Sequence, residues 1–157
     1  MSTQLSYISG ISTKPLLGIT IGDMLDDTAA RFPQHDALIV HHQDIRFTYH
    51  QFKAIVDDCA QAFLTLGVQK GDRVGIWSPN RYEWTVTQFA TAKIGAILVN
   101  INPSYRLHEL EYALKQSECS ILVSADTFKT SRFTNMLYAL APELGDCPKG
   151  HLNALKV

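Results

Sequence analysis

Residues 73–100 read RVGIWSPNRYEWTVTQFATAKIGAILVN, and the pattern of this stretch indicates the fold class. Arg73–Trp77 is a short apolar run bounded by turn-forming residues, which predicts a β-strand. A segment with helical spacing follows, with a predicted cap at Asn80 and a stop at Gly95. Residues 96–100 form a second apolar run, the pattern of a strand that is covered on both faces. The stretch therefore predicts strand, helix, strand.

The sequence after this stretch continues the alternation of helices and strands. Leucines at helical spacing mark a further helix, in which Glu111 stands four residues before Lys115, the favourable order for an ion pair. Residues 120–123 predict a strand and residues 128–140 a last helix. The resulting order specifies a parallel sheet with right-handed crossovers. The marking leucines are Leu107, Leu110 and Leu114.

A small helix and a hairpin are predicted before this region. Thr20 opens the helix, Asp23 completes a capping-box pattern, and Pro33 lies just beyond the helix end. Residues 37–41 and Ile45–Thr48 are short strand-like runs, which predict a β-hairpin. The predicted apolar face of the helix consists of Met24, Leu25, Thr28 and Phe32.

A longer helix is predicted after the hairpin. Thr48 and Gln51 form a second capping box, and Gly67 is suited to end the helix. The predicted fold class is α/β, a parallel sheet with flanking helices plus a small N-terminal helix and a β-hairpin. The apolar positions of the longer helix are Phe52, Ile55, Val56, Cys59, Phe63 and Leu66.

Three segments are predicted along the chain. Residues 1–19 show no sustained periodicity and predict an extended lead-in. Residues 20–141 contain all the predicted helices and strands and form one domain. Residues 142–157 are rich in proline and glycine, which predicts a linker or a truncated tail.

Composition excludes several classes of protein. The chain has 157 residues, of which 46% are apolar and 18% charged, and its net charge of −1 gives no reason to expect nucleic acid. The longest apolar run, residues 95–101, is too short for a membrane span. The start has neither an apolar signal region nor the arginines of a transit peptide. Three widely spaced cysteines predict reduced thiols and a cytoplasmic protein.

Most catalytic signatures are absent from the sequence. It has no P-loop, no dinucleotide-binding glycine motif, no nucleophile elbow and no Ser-x-x-Lys. His108 begins a zinc-like motif, but Tyr112 stands where the second ligand is needed. His41 and His42 are expected to point to opposite faces of a strand, which makes them poor co-ligands. The sequence therefore predicts no metal site.

Two acidic pairs and two tryptophans are expected to have structural roles. The pairs at residues 26–27 and 57–58 consist of sequence neighbours that do not face each other on a helix, so we expect solvated faces rather than an acid–base dyad. Trp77 and Trp84 are expected in the core. A subunit contact or an apolar channel remains open for both tryptophans.

Five motifs, in order and at the right spacing, resemble the adenylate-forming superfamily, which includes acyl-CoA synthetases. FTYHQF resembles its first core motif, and VQKGDRV, WSPN and the stretch from TAKIGA to NINP resemble those that follow. SAD falls where the family ends its next strand. The chain thus resembles the N-terminal subdomain of the adenylate-forming fold, nearest to the medium-chain fatty-acid branch. The motifs lie at residues 47–52, 68–74, 77–80, 91–103 and 124–126.

The resemblance implies a two-step reaction. A carboxylate attacks ATP, with magnesium present, to give an acyl-adenylate and pyrophosphate, and the CoA thiol then displaces AMP. The family's phosphate loop and catalytic lysine have no counterpart in these residues, so this chain alone is expected to form no acyl-adenylate. No ATP, magnesium or CoA is assigned to it firmly, and no catalytic residue. The resemblance implies a CoA nucleotide contact at Asn102, Lys129 and Arg132.

The alternative is a non-catalytic α/β module for binding or dimerisation. Such a module needs its own cleft at the carboxyl ends of the strands, near Trp77, Asn100 and Ser124. The expected partner is the remainder of a ligase polypeptide or a second copy, with fatty acid and CoA as ligands of the complete enzyme. No nucleic acid and no membrane span are expected.

Overall fold

The computed structural model describes residues 10–11, 13–14 and 16–145. Predictions for residues 1–9, for Cys147 and for residues 146–157 lie outside this part. The elements are α1 (Ile21–Arg31), β1 (Asp36–Val40), β2 (Ile45–Thr48), α2 (Tyr49–Thr65), β3 (Arg73–Trp77), α3 (Tyr82–Ile94), β4 (Ile97–Ile101), α4 (Leu107–Ser117), β5 (Ile121–Ser124), β6 (Thr127–Phe128), β7 (Ser131–Arg132) and α5 (Phe133–Leu140), with short 3₁₀ turns at His41–Gln43 and Pro142–Gly145.

The sheet at the centre of the fold is parallel, as predicted. Its order is β4-β3-β5, with Arg73 opposite Ile97 and Trp77 opposite Ser124. β1 and β2 form the predicted antiparallel hairpin, and β6 and β7 form a second, very short one. The α/β fold class is confirmed.

The two crossovers run in opposite directions across the sheet. Helix α3 leads from β3 to its neighbour β4, and α4 then leads back past β3 to β5 on the other edge. Right-handed crossovers in opposite directions place their helices on opposite faces of a sheet. Two separate cores agree with this arrangement, one with α1, α2 and α3 and one with α4 and α5.

The face with three helices has the larger core. Val74 of β3 packs there among side chains from all three helices. Its buried members are Leu25, Phe52, Val56, Ala60, Phe63, Val68, Val74, Val86 and Ala90.

The opposite face is built around two aromatic rings. Trp77 and Phe133 are fully buried and stack with their centroids 3.7 Å apart and their planes 9° apart. Gly75 points to the same face, where a Cβ would come within 3.0 Å of Leu122 and 3.1 Å of Cys119. Glycine at this position therefore permits the close approach of the Leu122 and Cys119 side chains. The other buried members of this core are Ile101, Leu110 and Leu114.

The predicted helix signals are mostly confirmed. The capping boxes of Thr20 with Asp23 and of Thr48 with Gln51 are both present, and Gly95 ends α3 in the left-handed region with φ 72°. The predicted cap at Asn80 is wrong. Helix α3 begins after Arg81, and its first amide, on Tyr82, donates to the side-chain oxygen of Gln43 at 2.8 Å.

Three predicted faces and bounds are also wrong. The buried side of α1 is Gly22, Leu25 and Ala29, because the helix packs its glycine against α3 and leaves Met24 and Phe32 exposed. Strand β4 is not covered on both faces, because it lies at the sheet edge and Ile97 is 53% exposed. Helix α5 begins at Phe133 instead of residue 128, because β6 and β7 occupy the preceding residues.

The acidic pairs do not simply face water. Asp26 of α1 and Asp57 of α2 both contact Lys93 of α3, and Lys53 contacts both carboxylates as well. Neither pair forms a dyad of sequence neighbours. One carboxylate from each joins a cluster that connects three helices.

The remaining general predictions concern thiols and membranes. Cys59 and Cys119 are free and half-buried, and burial raises the pKa of each thiol. A raised pKa makes a thiol less reactive at neutral pH. Within the described residues, no helix is long and apolar enough to cross a bilayer.

Candidate functional site

A cleft of about 430 Å³ opens at the carboxyl ends of β3 and β4. Two loops form most of it, the one that follows β3 and the one that follows β4, and α3 and β6 complete its walls. Its lining residues are Ser78, Pro79, Asn80, Trp84, Asn100, Ile101, Asn102, Pro103 and Phe128.

The strand order explains the position of this cleft. The connection after β3 goes to one face of the sheet and the connection after β4 goes to the other. The two loops therefore diverge and leave a crevice between neighbouring strand ends, the usual ligand site of open α/β sheets. The cleft predicted near Trp77 and Asn100 is present, but Ser124 is not among the residues that line it.

Asn102 lies in a turn that is stabilised by a hydrogen bond from Trp77 and by hydrogen bonds within the turn. The indole nitrogen of Trp77 donates to its carbonyl oxygen at 3.1 Å, and the amide of Tyr105 donates to the same oxygen at 3.0 Å. Its side-chain oxygen accepts from the amide of Ser104 at 2.9 Å. The buried tryptophan thus fixes the loop that forms one wall of the cleft.

Lys129 and Arg132 lie in the β6–β7 hairpin beside the cleft. Both are exposed, and Lys129 has φ 53° at the turn. The Lys129 ammonium lies 5.2 Å from the ring centroid of Phe128, which itself lines the cleft. Arg132 stands opposite Thr127 in the hairpin. The fold therefore brings the two predicted cations into the same small element next to Phe128.

Arg106 joins these residues although sequence reasoning missed it. Its guanidinium donates to the Ser131 hydroxyl at 2.7 Å, which connects the start of α4 to the same hairpin. The available signal was its position as the basic residue between the Asn102 turn and the next helix. Arg106, Lys129 and Arg132 place three cations on this side of the cleft, where Glu109 accepts from the Arg106 amide and Asp126 accepts from the Thr134 hydroxyl.

A second cleft of about 410 Å³ lies on the other side of Trp84. Trp84 is half-buried and lines both clefts, so the prediction of a core position is wrong for it and right for Trp77. The other lining residues come from the first hairpin and the start of α3: Ile39, Val40, His41, His42, Asn80, Arg81 and Thr85.

An ion pair with a supporting amide fixes the start of α3 beside the second cleft. Arg81 donates two hydrogen bonds to Glu83, at 3.0 and 3.2 Å, and Gln43 donates a third at 3.0 Å. Burial raises the pKa of Glu83, but these hydrogen bonds outweigh it and hold the pKa below its ordinary value. The glutamate therefore stays ionised at neutral pH, and its charge offsets that of Arg81.

The described residues show no grouping suited to a metal. Among them, no three His, Cys, Asp or Glu side chains converge, and His108 lies exposed in the first turn of α4. Three asparagines, two prolines and two aromatic residues line the cleft together with Ser78 and Ile101, and no carboxylate is among these lining residues.

Comparison with known proteins gives this geometry a context. A family model described as AMP-binding enzyme matches residues 25–149. The mitochondrial medium-chain acyl-CoA ligase of Pongo abelii is 44% identical over 98% of this chain, and that of Homo sapiens is 43% identical over the same share. The chain spans about a quarter of the length of these relatives, 25% in both cases.

Solved structures show the same likeness. A fatty acyl CoA synthetase of Mycobacterium tuberculosis superposes with a TM-score of 0.70 and 30% identity, covering 77% of this chain and 23% of that one. The N-terminal domain of FACL13 from the same organism superposes with a TM-score of 0.72 and 26% identity, covering 87% of this chain and 32% of that one.

Proposed function

The chain belongs to the family of AMP-binding enzymes, and on that premise we propose that it forms the N-terminal part of an ATP-dependent fatty-acid–CoA ligase. The observation that supports this most is an identity of 43–44% over 98% of the chain with proteins named medium-chain acyl-CoA ligases. Medium-chain fatty acids are accordingly the proposed substrates. The complete reaction joins a carboxylate to CoA through an acyl-adenylate.

The residues of this chain do not fit the ATP and magnesium of that reaction. The sequence has no glycine-rich phosphate loop, and the described part has no acidic cluster for a divalent ion. Phosphoryl chemistry depends on donors and cations aimed at the transferring group. We therefore assign no chemical step to these residues, and their proposed role is to bind and position.

The binding role that we propose is contact with the CoA nucleotide. Asn102 lines the cleft, and Lys129 and Arg132 lie in the hairpin whose Phe128 forms part of its wall. Guanidinium and ammonium groups pair well with phosphate, and a guanidinium can do so with two parallel hydrogen bonds. Arg106, which is hydrogen-bonded to the same hairpin, is added to this set.

Activity is tested on a polypeptide that extends this chain to the length of its relatives. We expect ATP- and CoA-dependent thioester formation, with medium-chain acids preferred over long-chain acids. The 157-residue chain by itself is expected to show no carboxylate-dependent exchange between ATP and pyrophosphate. Exchange by the short chain would contradict the assignment of the chemistry to other residues, and no thioester from the long one would contradict the ligase function.

The CoA contact is tested by titration with matched charge variants. Lys129→Ala and Arg132→Ala are expected to weaken CoA binding, measured by calorimetry, because each removes a cation beside the cleft. Lys70→Ala is the control, since Lys70 is also exposed but precedes β3, at the amino ends of the strands and away from the cleft. Equal affinities for all three variants and the parent would contradict the contact.

The proposed partner is the rest of the ligase polypeptide, or else a second copy of the chain. Exposed apolar side chains support this, with Ile97 on an edge strand and Tyr112 and Tyr138 on the helices of the smaller core. We expect the 157-residue chain to self-associate or to be marginally stable, as seen by light scattering and thermal melting. A monomer with a sharp melt would contradict this. The division at residues 19/20 and 141/142 remains a prediction.

A cytoplasmic location is the corresponding proposal for the cell. Two free, half-buried thiols are compatible with a reducing compartment. The relatives from Pongo abelii and Homo sapiens are named mitochondrial. Fractionation of cells that express the natural gene decides the compartment, and recovery in an organelle would contradict the proposal.

A second candidate function is a binding module without catalysis. The observation in its favour is a cleft of about 430 Å³ at the switch point of the sheet, where open α/β sheets bind ligands. Reading the gene beyond residue 157 separates the two candidates. A continuing frame with a Ser/Thr/Gly-rich loop supports the ligase, and a stop codon supports the module.

A further inference from the structure

Helix α1 has more apolar surface than it buries. It packs Leu25 and Ala29 inward and, within the described part of the chain, leaves a second apolar stripe exposed. The positions of this outer stripe are spaced i, i+3, i+7 and i+11, which share one side of a helix. The outer stripe consists of Ile21, Met24, Thr28 and Phe32, and the exposed apolar residues that directly precede it are Leu16, Leu17 and Ile19.

The side chains of the outer stripe are suited to a dry contact. The Thr28 hydroxyl donates to the Met24 carbonyl oxygen at 2.7 Å, so it brings no unpaired donor to the surface. The Phe32 ring is positioned by an edge contact with His35 at 5.4 Å and by the Arg31 guanidinium at 5.0 Å. A contiguous exposed apolar patch with a polar border is typical of a protein–protein contact.

The charges that border the stripe complement one another. Met24, Asp27 and Arg31 are spaced i, i+3 and i+7, so both charges lie along the Met24 side of the stripe. Asp27 and Arg31 are exposed, and neither forms an ion pair within the described residues. Asp23 adds an acid in the first turn, whereas Arg31 is the basic residue of the last turn.

This arrangement fits a second copy of the same helix in the opposite direction. Antiparallel helices bring the Arg31 end of each copy against the Asp23–Asp27 end of the other. A two-fold contact uses the same patch on both subunits, so the patch must contain both halves of each pair, as this one does. An anionic membrane surface fits poorly, because the bordering aspartates would face like charge and interfacial helices have Lys and Arg there.

We propose that the outer stripe of α1 is the contact between two copies of this chain, paired antiparallel about a two-fold axis. The inference rests on the proposed function only in that a second copy is one of the partners proposed there, and it names the face. An 11-residue helix is about 16 Å long. Because stable interfaces bury about 1,200–2,000 Å² in total, we expect a weak dimer that dissociates in the micromolar range.

The first test is sedimentation velocity of the 157-residue chain over a concentration series. Met24→Lys is expected to raise the dissociation constant of the dimer about ten-fold or more, because it places a charge at the centre of the contact. Tyr112→Lys is the matched control, since Tyr112 is exposed on α4, on the other face of the sheet. Far-ultraviolet circular dichroism verifies that both variants fold.

A second test exchanges the charges. Asp27→Arg and Arg31→Glu are each expected to weaken self-association, because each makes the border of the stripe repel its own copy. An equimolar mixture of the two variants is expected to associate as strongly as the parent, since a basic border then meets an acidic one. No gain on mixing would overturn the antiparallel pairing.

The outcomes separate this inference from the proposed function. A monomeric parent at millimolar concentration would overturn the contact, and so would equal weakening by Met24→Lys and Tyr112→Lys. The dimer is also expected in the polypeptide extended to the length of the relatives, and a monomer there would overturn the inference as well. None of these results affects thioester formation, on which the ligase function is judged. A dimer that Met24→Lys weakens supports the inference even if the longer polypeptide proves inactive.

Discussion

The two faces of the parallel sheet are stabilised in different ways. On the face with α1, α2 and α3, nine buried residues of the described part form the core, and a charge cluster of Asp26, Lys53, Asp57 and Lys93 connects the three helices. On the face with α4 and α5, the core of the described part has five buried residues, two of which are the stacked Trp77 and Phe133. The contacts of the first face are spread over three helices, whereas those of the second face centre on the Trp77–Phe133 stack.

Substitutions on the two faces are therefore expected to have different consequences for stability and for the cleft. α1 is short and buries few side chains, and its position is set by Gly22 against Lys93 and by the Asp26–Lys93 pair. Trp77 instead combines core packing with a hydrogen bond to the Asn102 turn. A change at Trp77 therefore affects both stability and the cleft, whereas a change in the charge cluster affects mainly stability.

The largest effect is expected from Trp77→Ala. Loss of a fully buried indole costs about 3–5 kcal/mol in unfolding free energy, and the Asn102 turn loses a donor as well. Trp84→Ala is the matched control, and its cost is expected at about 1–2 kcal/mol because Trp84 is half-buried and lines open clefts. Urea unfolding measures both. Equal costs would contradict the concentrated packing of the second face.

Lys93→Met is expected to have the next largest effect, on the first face. The Lys93 side chain is 13% exposed and contacts Asp26 and Asp57, so its removal leaves two carboxylates with Lys53 as their cation. We expect a loss of about 1–2 kcal/mol after solvent screening of the partly exposed carboxylates. Lys53→Met, at a more exposed cation, is expected to cost less than about 1 kcal/mol. The reverse order in thermal melts would contradict the central place of Lys93.

Gln43→Ala tests the contact between the hairpin and α3. The variant removes the acceptor of the Tyr82 amide and a donor to Glu83, and a lost helix cap costs about 1 kcal/mol. Gln88→Ala is the control, because Gln88 is exposed on the same helix. Stabilities of the two variants that do not differ would show that the cap contributes nothing.

The smallest effect is expected from the ionisation of Asp57. Burial raises its pKa, but hydrogen bonds from Lys53 and Lys93 outweigh burial and hold the pKa below its ordinary value. Because the pKa is lower in the folded chain than in the unfolded chain, this contribution is present at neutral pH and is lost as the pH falls below about 4.

The Asp57 side chain is 39% exposed, so screening keeps the contribution below about 1 kcal/mol. Asp57→Asn is expected to flatten the fall of unfolding free energy with acid, measured by urea unfolding between neutral pH and pH of about 3. An unchanged slope would contradict the assignment. Asp27→Asn, at the exposed neighbour of Asp26, is the control.

Local signals in the sequence predicted most of the elements. Capping boxes at Thr20 and Thr48 and the stop at Gly95 depend on residues within a few positions of one another, and all are confirmed. One error fell where a distant contact replaced a local one. Asn80 lost the capping role to Gln43, which lies 39 positions before Tyr82.

The candidate site was predictable in part. The alternation of strands and helices predicted a site at the carboxyl ends of the strands. The resemblance to a family implied a shared CoA contact at Asn102, Lys129 and Arg132. Trp84 was expected in the core, with an apolar channel left open, and Arg106 was missed. Their roles depend on which side of a helix faces the cleft and on a hydrogen bond across 25 positions, and periodicity predicts neither.

The sequence by itself determined the α/β class, the order of the elements and the family, because these depend on periodicity, caps and short motifs. The tertiary structure alone decided the strand order β4-β3-β5, the cleft at its switch point and the charge cluster that joins Asp26 to Lys93 across 67 positions. The physical reason is that strand neighbours and ion pairs between helices are chosen by packing of the whole domain. No local sequence pattern indicates which distant strands or charged residues will become neighbours.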